Sequence, residues 1–124
     1  MRVFLADNQA KVRSALRLVL QQDPDLQVVG EVADTCSLLE QVEETLPDVL
    51  MLDWELTCIS ITNLMSALLE KYPHMVVIAM SGRVEAKQEA FRAGAHAFVN
   101  KGAPPESLLE TLHAVADKPG DERF

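Results

Sequence analysis

The chain has 124 residues, of which 48% are hydrophobic and 24% are charged, and its net charge is −8 at pH 7. This length predicts one domain with its own hydrophobic core rather than a multidomain enzyme. The excess of acidic residues argues against nonspecific attraction to nucleic acid or to an anionic membrane surface, and it favours cations and basic patches as partners.

No apolar stretch reaches the roughly 20 residues that span a bilayer, and the N terminus does not read as a signal peptide. Cys36 and Cys58 lack the paired spacing of a metal site. We therefore expect a cytoplasmic protein that does not contact a membrane and carries two unpaired, unreactive thiols.

Short apolar runs alternate with segments of helical spacing along the whole chain. The runs predict buried strands at 3–6, 26–32, 49–52, 75–80 and 95–99. Strict alternation implies right-handed crossovers and a parallel sheet. The predicted fold is therefore α/β: a doubly wound, five-stranded parallel sheet with helices on both faces. For the strand order we adopt the flavodoxin-like pattern 2-1-3-4-5.

Helices are predicted at about 12–20, 35–46, 61–72 and 83–93, and a last one begins at Pro104-Pro105. Asp34 is the expected N-cap of the second helix, and Pro47 prevents that helix from continuing.

The fourth predicted helix has an apolar face made mostly of alanines, so it should bury little area and be held loosely. Its inward residues are predicted to be Val84, Ala86, Ala90, Phe91 and Ala93. Gly94 is expected to end it in a left-handed conformation.

Four polar residues follow the predicted strands directly or one position later: Asp7, Asp53, Ser81 and Lys101. Ligands of doubly wound folds bind beyond the carboxyl ends of the strands, so we expect these side chains in one crevice. The strand order makes the carboxylates of Asp7 and Asp53 neighbours that repel each other. A raised pKa of one carboxyl, the ammonium of Lys101 or a divalent metal ion could relieve that repulsion.

Of these three, the metal gives a chemically productive site. Mg²⁺ prefers oxygen ligands, which Asp7, Asp53, a backbone carbonyl near Glu55 and the amide of Asn8 can supply. Asn8 could instead cap the first helix. Lys101 and the Ser81 hydroxyl suit the remaining oxygens of a phosphoryl group, so the set predicts phosphoryl transfer to an aspartate.

Five segments of the chain carry a resemblance to a known family. They are 3–9, which ends Ala6-Asp7-Asn8-Gln9; 47–53, which ends Met51-Leu52-Asp53; Met80-Ser81-Gly82; Phe98; and 100–106, which begins Asn100-Lys101-Gly102. Over its whole length the chain resembles a response-regulator receiver domain of two-component signalling, in particular the receivers that precede LuxR-type helix-turn-helix domains. The resemblance implies a receiver domain over 1–117 and a polar tail, or the start of a linker, over 118–124.

The resemblance also implies a function for each site residue. Asp53 would be the phosphoacceptor, assisted by Ser81 and Lys101, and Mg²⁺ would be held by Asp7, Asn8, Asp53 and the backbone carbonyl of Glu55. Ser81 and Phe98 would form the conformational switch, and a salt bridge between Glu55 and Arg83 would tune the lifetime of the phosphoryl group.

The implied partners are a sensor histidine kinase, a second copy of the phosphorylated domain, and a C-terminal DNA-binding domain absent from this chain. The receiver would regulate transcription without itself binding nucleic acid. It would be a phosphorylation substrate rather than an enzyme, limited to phosphorylation from small donors and to its own dephosphorylation.

Two departures from the family pattern leave other functions open. Asn8 stands where the family usually has a carboxylate, and the loop after Asp53 lacks the usual proline and glycine. One alternative is therefore a pseudo-receiver that only binds proteins. Another is a small phosphatase of the haloacid dehalogenase type, with Asp53 as nucleophile and Glu55 as acid, although the cap of such enzymes is not recognisable.

Overall fold

The computed structural model describes residues 1–116, which form a five-stranded sheet and five helices. The strands are β1 (Arg2–Ala6), β2 (Gln27–Val32), β3 (Val49–Asp53), β4 (Val76–Ser81) and β5 (Ala97–Asn100). The helices are α1 (Ala10–Gln21), α2 (Leu38–Thr45), α3 (Ile61–Lys71), α4 (Glu85–Arg92) and α5 (Pro105–Ala116). All strand pairs are parallel, in the order β2-β1-β3-β4-β5, which confirms the predicted fold.

The three central strands are buried on both faces, and their side chains alternate between two hydrophobic clusters. In β1, for example, Phe4 packs on the side of α2, α3 and α4, and Leu5 packs on the side of α1 and α5. The sheet is thus covered on both faces, and its carboxyl edge is left for the polar residues that follow the strands.

The second helix begins at Leu38, later than the sequence predicts, and Asp34 does not cap it. Instead, Asp34 Oδ1 accepts a hydrogen bond from the Cys36 N–H at 2.9 Å, which forms a turn before the helix. The helix ends at Thr45, and the next residue, Leu46, has a left-handed φ of 45° directly before Pro47. The N-cap prediction was wrong because this segment is bound to a distant loop.

In α4, the alanines Ala86 and Ala90 are fully buried, as predicted. Val84 and Phe91 are not inward: their exposed fractions are 77% and 44%. The helix begins only at Glu85, so Val84 precedes it, and an eight-residue helix presents only a narrow stripe to the sheet. Gly94 follows α4 with φ of 105°, which confirms the left-handed position.

The prediction of two unpaired thiols was wrong, since the structure joins Cys36 and Cys58 in a disulfide. The two residues are 22 positions apart, and no local pattern pairs them. They meet because α2 and α3 cover the same face of the sheet, which brings together the loops that precede these helices.

Within the described residues, no helix combines the length and hydropathy needed to cross a membrane. The predicted polar tail at 118–124 lies outside the described residues.

Candidate functional site at the carboxyl edge of the sheet

The parallel register brings the four predicted polar residues to one edge. Asp53 and Ser81 are the last residues of β3 and β4, and Asp7 and Lys101 directly follow β1 and β5. The Lys101 N–H donates a hydrogen bond to the Ser81 carbonyl at 3.0 Å, which continues the β4–β5 ladder one step further. Because these strands are adjacent, the four residues lie side by side.

Two buried carboxylates share one ammonium group at this edge. Lys101 Nζ lies 2.7 Å from Asp7 Oδ2 and 3.3 Å from Asp53 Oδ2. The side chains of Asp7 and Asp53 are 0% and 1% exposed. Burial lowers the pKa of Lys101, but the hydrogen bond to Asp7 and the attraction of both carboxylates outweigh it, so its pKa lies above the ordinary value. Lys101 is therefore held charged between the two acids.

The backbone fixes the other oxygen of each carboxylate. Asp7 Oδ1 accepts a hydrogen bond from the Gln9 N–H at 2.9 Å, and Asp53 Oδ1 accepts one from the Glu55 N–H at 3.0 Å. Asp7 Oδ2 is buried, and the close partner that the described residues give it is the Lys101 ammonium at 2.7 Å. A carboxylate oxygen in this condition retains lone pairs for a further ligand.

These residues fit a magnesium site with few charged ligands. In the described part of the chain, no three His, Cys, Asp or Glu side chains gather to hold a metal. Two carboxylates meet here, and Asn8, the exposed neighbour of Asp7, stands at the third position of the predicted set. Carboxylate, amide and backbone oxygens are ligands that Mg²⁺ accepts while retaining waters.

The Ser81 hydroxyl forms hydrogen bonds with the loop that follows β3 and with the loop that follows β4. Its hydroxyl donates to Glu55 Oε1 and accepts from the Arg83 N–H at 3.0 Å. The Arg83 guanidinium contacts Glu55 Oε2 at 3.1 Å, so the salt bridge expected from the sequence is present. Burial raises the pKa of Glu55, but the hydrogen bonds from Ser81 and Arg83 outweigh it and hold this pKa below the ordinary value. The Ser81–Glu55 hydrogen bond was not predicted.

The two aromatic residues near the edge differ in burial. Trp54 is 4% exposed, and its backbone N–H donates to the Met80 carbonyl at 2.8 Å. Phe98 is partly buried and packs against the cluster beneath α2, α3 and α4.

Sequence reasoning also missed Thr35, which is fully buried beside this edge. Its hydroxyl lies 2.8 Å from the Thr57 carbonyl oxygen and 3.0 Å from that of Ile59. A threonine in a polar loop carries no sequence signal for such burial, because its partners come from a distant loop.

Comparisons with known proteins give the family and the fold of the chain. The model of the response regulator receiver domain matches residues 3–113. The chain is similar to protein-glutamate methylesterase/protein-glutamine glutaminase 3 of Rhodopseudomonas palustris (strain BisB18), with 29% identity, covering 94% of this chain and 31% of the relative. It is also similar to the uncharacterized transcriptional regulatory protein YxjL of Bacillus subtilis (strain 168), with 30% identity, covering 93% of this chain and 54% of the relative.

The chain therefore spans about a third to a half of the length of these curated relatives. Among solved structures, it is similar to a two-component response regulator of the LuxR family from Aurantimonas sp. SI85-9A1. The TM-score is 0.86 and the identity 24%, covering 95% of this chain and 86% of that one. The matched family model spans nearly all of the described residues, so the chain belongs to the response regulator receiver domain family of two-component signalling.

Proposed function

We propose that this receiver accepts a phosphoryl group from a sensor histidine kinase onto Asp53. The observation that carries the proposal is the contact of Lys101 Nζ with both Asp7 Oδ2 and Asp53 Oδ2, at 2.7 and 3.3 Å. A fixed cation beside a buried carboxylate stabilises the charge that develops when that carboxylate attacks a phosphoryl donor. The chain is then mainly a substrate, limited to phosphorylation from small donors and to its own dephosphorylation.

Asp7, Asp53, the amide oxygen of Asn8 and the backbone carbonyl of Glu55 are the proposed ligands of Mg²⁺. When bound, the ion supplies positive charge to the phosphoryl oxygens. Asp7 Oδ2 supports this set, because it is buried and the described residues give it one close partner, Lys101, which leaves a lone pair for an ion. Asn8 brings no charge, so we expect weaker metal binding than a third carboxylate would give.

Ser81 is the proposed switch hydroxyl. It now donates to Glu55, and a phosphoryl group on Asp53 would offer acceptor oxygens of higher charge to the same O–H. Transfer of this hydrogen bond would release Glu55 and Arg83 and move the segment before α4. Phe98, which is only partly buried, would then turn inward as the aromatic part of the switch.

Glu55 and Arg83 are proposed to set the lifetime of the phosphoryl group. Their salt bridge joins the segments that follow β3 and β4, beside Asp53 and Ser81. The family resemblance implies that side chains at these positions flank the path by which water reaches an acyl phosphate on Asp53. Their effect is therefore expected on the rate of hydrolysis, because exposed ion pairs contribute little to stability.

The proposed output is phosphorylation-dependent dimerisation that regulates transcription through a C-terminal DNA-binding domain. The domain would not bind nucleic acid itself, in line with its net charge of −8. The name of the Bacillus subtilis relative supports transcription as the output, and the partial match to a methylesterase indicates that similar sequences also occur in proteins with other activities. We place the domain in the cytoplasm, where it meets its kinase.

A pseudo-receiver that only binds proteins is the second candidate, favoured by Asn8 at the metal position. Titration of the single Trp54 with Mg²⁺ separates the two, because Trp54 directly follows Asp53. A fluorescence change that saturates supports the phosphoacceptor. The absence of heat in calorimetric titration, together with a flat fluorescence signal, would favour the pseudo-receiver.

The decisive experiment is incubation with acetyl phosphate and Mg²⁺, followed by intact mass measurement. We expect wild type to gain one phosphoryl group and Asp53→Asn to gain none. Asp25→Asn, a change at an exposed aspartate in the turn before β2, is the matched control and should be modified as wild type is. Equal modification of wild type and Asp53→Asn would contradict the assignment of the acceptor.

A further inference from the structure

Two loops next to the acceptor carry a pair of cysteines that the proposed phosphorylation does not use. Cys36 lies in the β2–α2 loop (33–37) and Cys58 in the β3–α3 loop (54–60). They form a disulfide with a Cα–Cα distance of 5.5 Å, inside the usual range for such bonds. Both residues are exposed to solvent, so small thiols and disulfides can reach them.

The same two loops are held together independently by Thr35. Its N–H donates to the Thr57 carbonyl at 3.1 Å, and its Oγ1 accepts from the Ile59 N–H at 2.6 Å. Its single hydroxyl proton is shared between the carbonyls of Thr57 and Ile59. These hydrogen bonds do not depend on the sulfur atoms, so the two cysteines stay close after reduction. Proximity then favours the intramolecular disulfide over mixed disulfides with small thiols.

The β3–α3 loop also carries part of the proposed metal site. It begins directly after Asp53 and contains Glu55, whose backbone carbonyl is a proposed ligand and whose N–H orients Asp53 Oδ1. Cys58 has a left-handed φ of 106°, a conformation that non-glycine residues adopt only when the surroundings impose it. A bond from Cys58 to the neighbouring loop restricts the conformations of this segment before any ligand binds.

We propose that Cys36 and Cys58 form a reversible redox site, and that their disulfide increases the affinity of the acceptor pocket for Mg²⁺. The redox site does not depend on the proposed function. The effect on Mg²⁺ affinity rests on it. A loop that is already ordered loses less conformational entropy when it binds an ion, so the oxidised form is expected to bind Mg²⁺ more tightly.

The chemistry is thiol–disulfide exchange with a low-molecular-weight disulfide of the glutathione type. One cysteine thiolate attacks the small disulfide and releases one small thiolate, and the second cysteine thiolate attacks the mixed disulfide and releases the other. Two cysteine sulfurs are oxidised and the two sulfurs of the small disulfide are reduced. The two cysteine protons pass through solvent to the released thiolates, so the step is balanced.

The redox site is tested by equilibrating the protein with mixtures of reduced and oxidised glutathione, quenching with acid, alkylating the free thiols and counting them by intact mass. We expect molecules with either two free thiols or none, with a midpoint inside the accessible range of mixtures. Three results would each overturn the proposal. The protein could keep two free thiols in fully oxidising mixtures, it could form mainly mixed disulfides with glutathione, or its disulfide could resist excess reductant. Far-UV circular dichroism of the reduced protein is measured alongside, to check that it remains folded.

The coupling is tested by calorimetric and Trp54 fluorescence titrations with MgCl₂ on oxidised and reduced wild type. We expect the dissociation constant of the oxidised form to be lower by about three- to tenfold. The double variant Cys36→Ser, Cys58→Ser is the control, and its affinity should match reduced wild type in both buffers. Equal affinities in the two wild-type states would overturn the coupling. An absence of Mg²⁺ binding in both states would overturn the coupling and the proposed metal site, while the thiol count still decides the redox site.

Discussion

Lys101 is the residue on which the electrostatics of the site depend. Within residues 1–116 it is the one cation in contact with both Asp7 and Asp53, whose carboxylates are almost fully buried. Removing one partner from such a cluster leaves charge without compensation in a poorly solvated place, which costs more than the intact contact contributes.

We therefore expect Lys101→Met to lower the free energy of unfolding at pH 7 by about 2 kcal/mol, less than for a fully buried pair because Lys101 is 23% exposed. Mg²⁺ should recover more stability in this variant than in wild type, since the ion replaces the missing cation. Urea unfolding with and without MgCl₂ measures both effects. Lys11→Met, at an exposed lysine of α1, is the control. Equal losses in the two variants would contradict the cluster.

The raised pKa of Lys101 also predicts how the difference in free energy of unfolding between wild type and Lys101→Met depends on pH. The stabilisation is fully present below the unfolded-state pKa of a lysine, about 10.4, and it is lost as the pH rises through the higher folded-state value. The gap between wild type and Lys101→Met should therefore persist from neutral pH to about pH 10.

Glu55 gives the opposite pH dependence, because its pKa lies below the ordinary value. Its stabilisation is present above the unfolded-state pKa, about 4.3, and is lost as the pH falls through the lower folded-state value. We expect Glu55→Gln to cost under about 1 kcal/mol at pH 7, since the side chain is 41% exposed, and less as the solution becomes acidic. Chemical unfolding over a pH series measures this. Glu44→Gln, at an exposed glutamate of α2, should show no such trend.

At the scale of elements, the join between α4 and β5 depends on a glycine. Gly94 has φ of 105°, and a Cβ placed there would lie 2.3 Å from Leu69 Cδ1 of α3. The residue ends the helix and lets the chain pass close to α3 before β5 begins.

Gly94→Ala is therefore expected to lower the free energy of unfolding by about 1–3 kcal/mol, mainly through backbone strain, because the end of the leucine side chain can move. Gly82→Ala is the matched control. A Cβ at Gly82 meets no atom within 4 Å, so its effect should stay within about 0.5 kcal/mol. Thermal unfolding of the two variants makes the comparison, and similar melting temperatures would count against the strain.

At the scale of the whole molecule, α4 is the element most able to transmit the state of the site. It follows the segment that holds Ser81 and Arg83, and it is anchored by two buried alanines. Val84, directly before α4, and Phe91 within it are exposed apolar residues that are available to a partner surface rather than to the core. This distribution supports an output face that includes α4.

We expect phosphorylated wild type to sediment as a dimer and Phe91→Ser to accept the phosphoryl group yet remain a monomer. Loss of an exposed aromatic side chain removes contact area from the proposed interface without disturbing the buried site. Analytical ultracentrifugation after treatment with acetyl phosphate is the measurement. A dimeric phosphorylated Phe91→Ser protein would place the interface elsewhere.

The sequence by itself determined the fold class and the positions of Asp7, Asp53, Ser81 and Lys101 at the ends of strands, whereas the strand order came from the known flavodoxin-like pattern. These follow from local information, because an apolar run ends where the next residue is polar, and parallel strands end at the same edge. The first residues of the helices were predicted less accurately from the sequence. Asp34 has the properties of an N-cap, yet the loop that contains it is bound to a distant segment.

Only the tertiary structure decided the Cys36–Cys58 bond, the burial of Thr35, the hydrogen bond from Ser81 to Glu55 and the exposure of Phe91. The first three depend on which loops become neighbours once the helices have settled on the sheet, and the last on how α4 is rotated against it. Such contacts join residues about 20 or more positions apart, and no periodicity along the chain encodes them, because the energy that pairs them exists only after the core has packed.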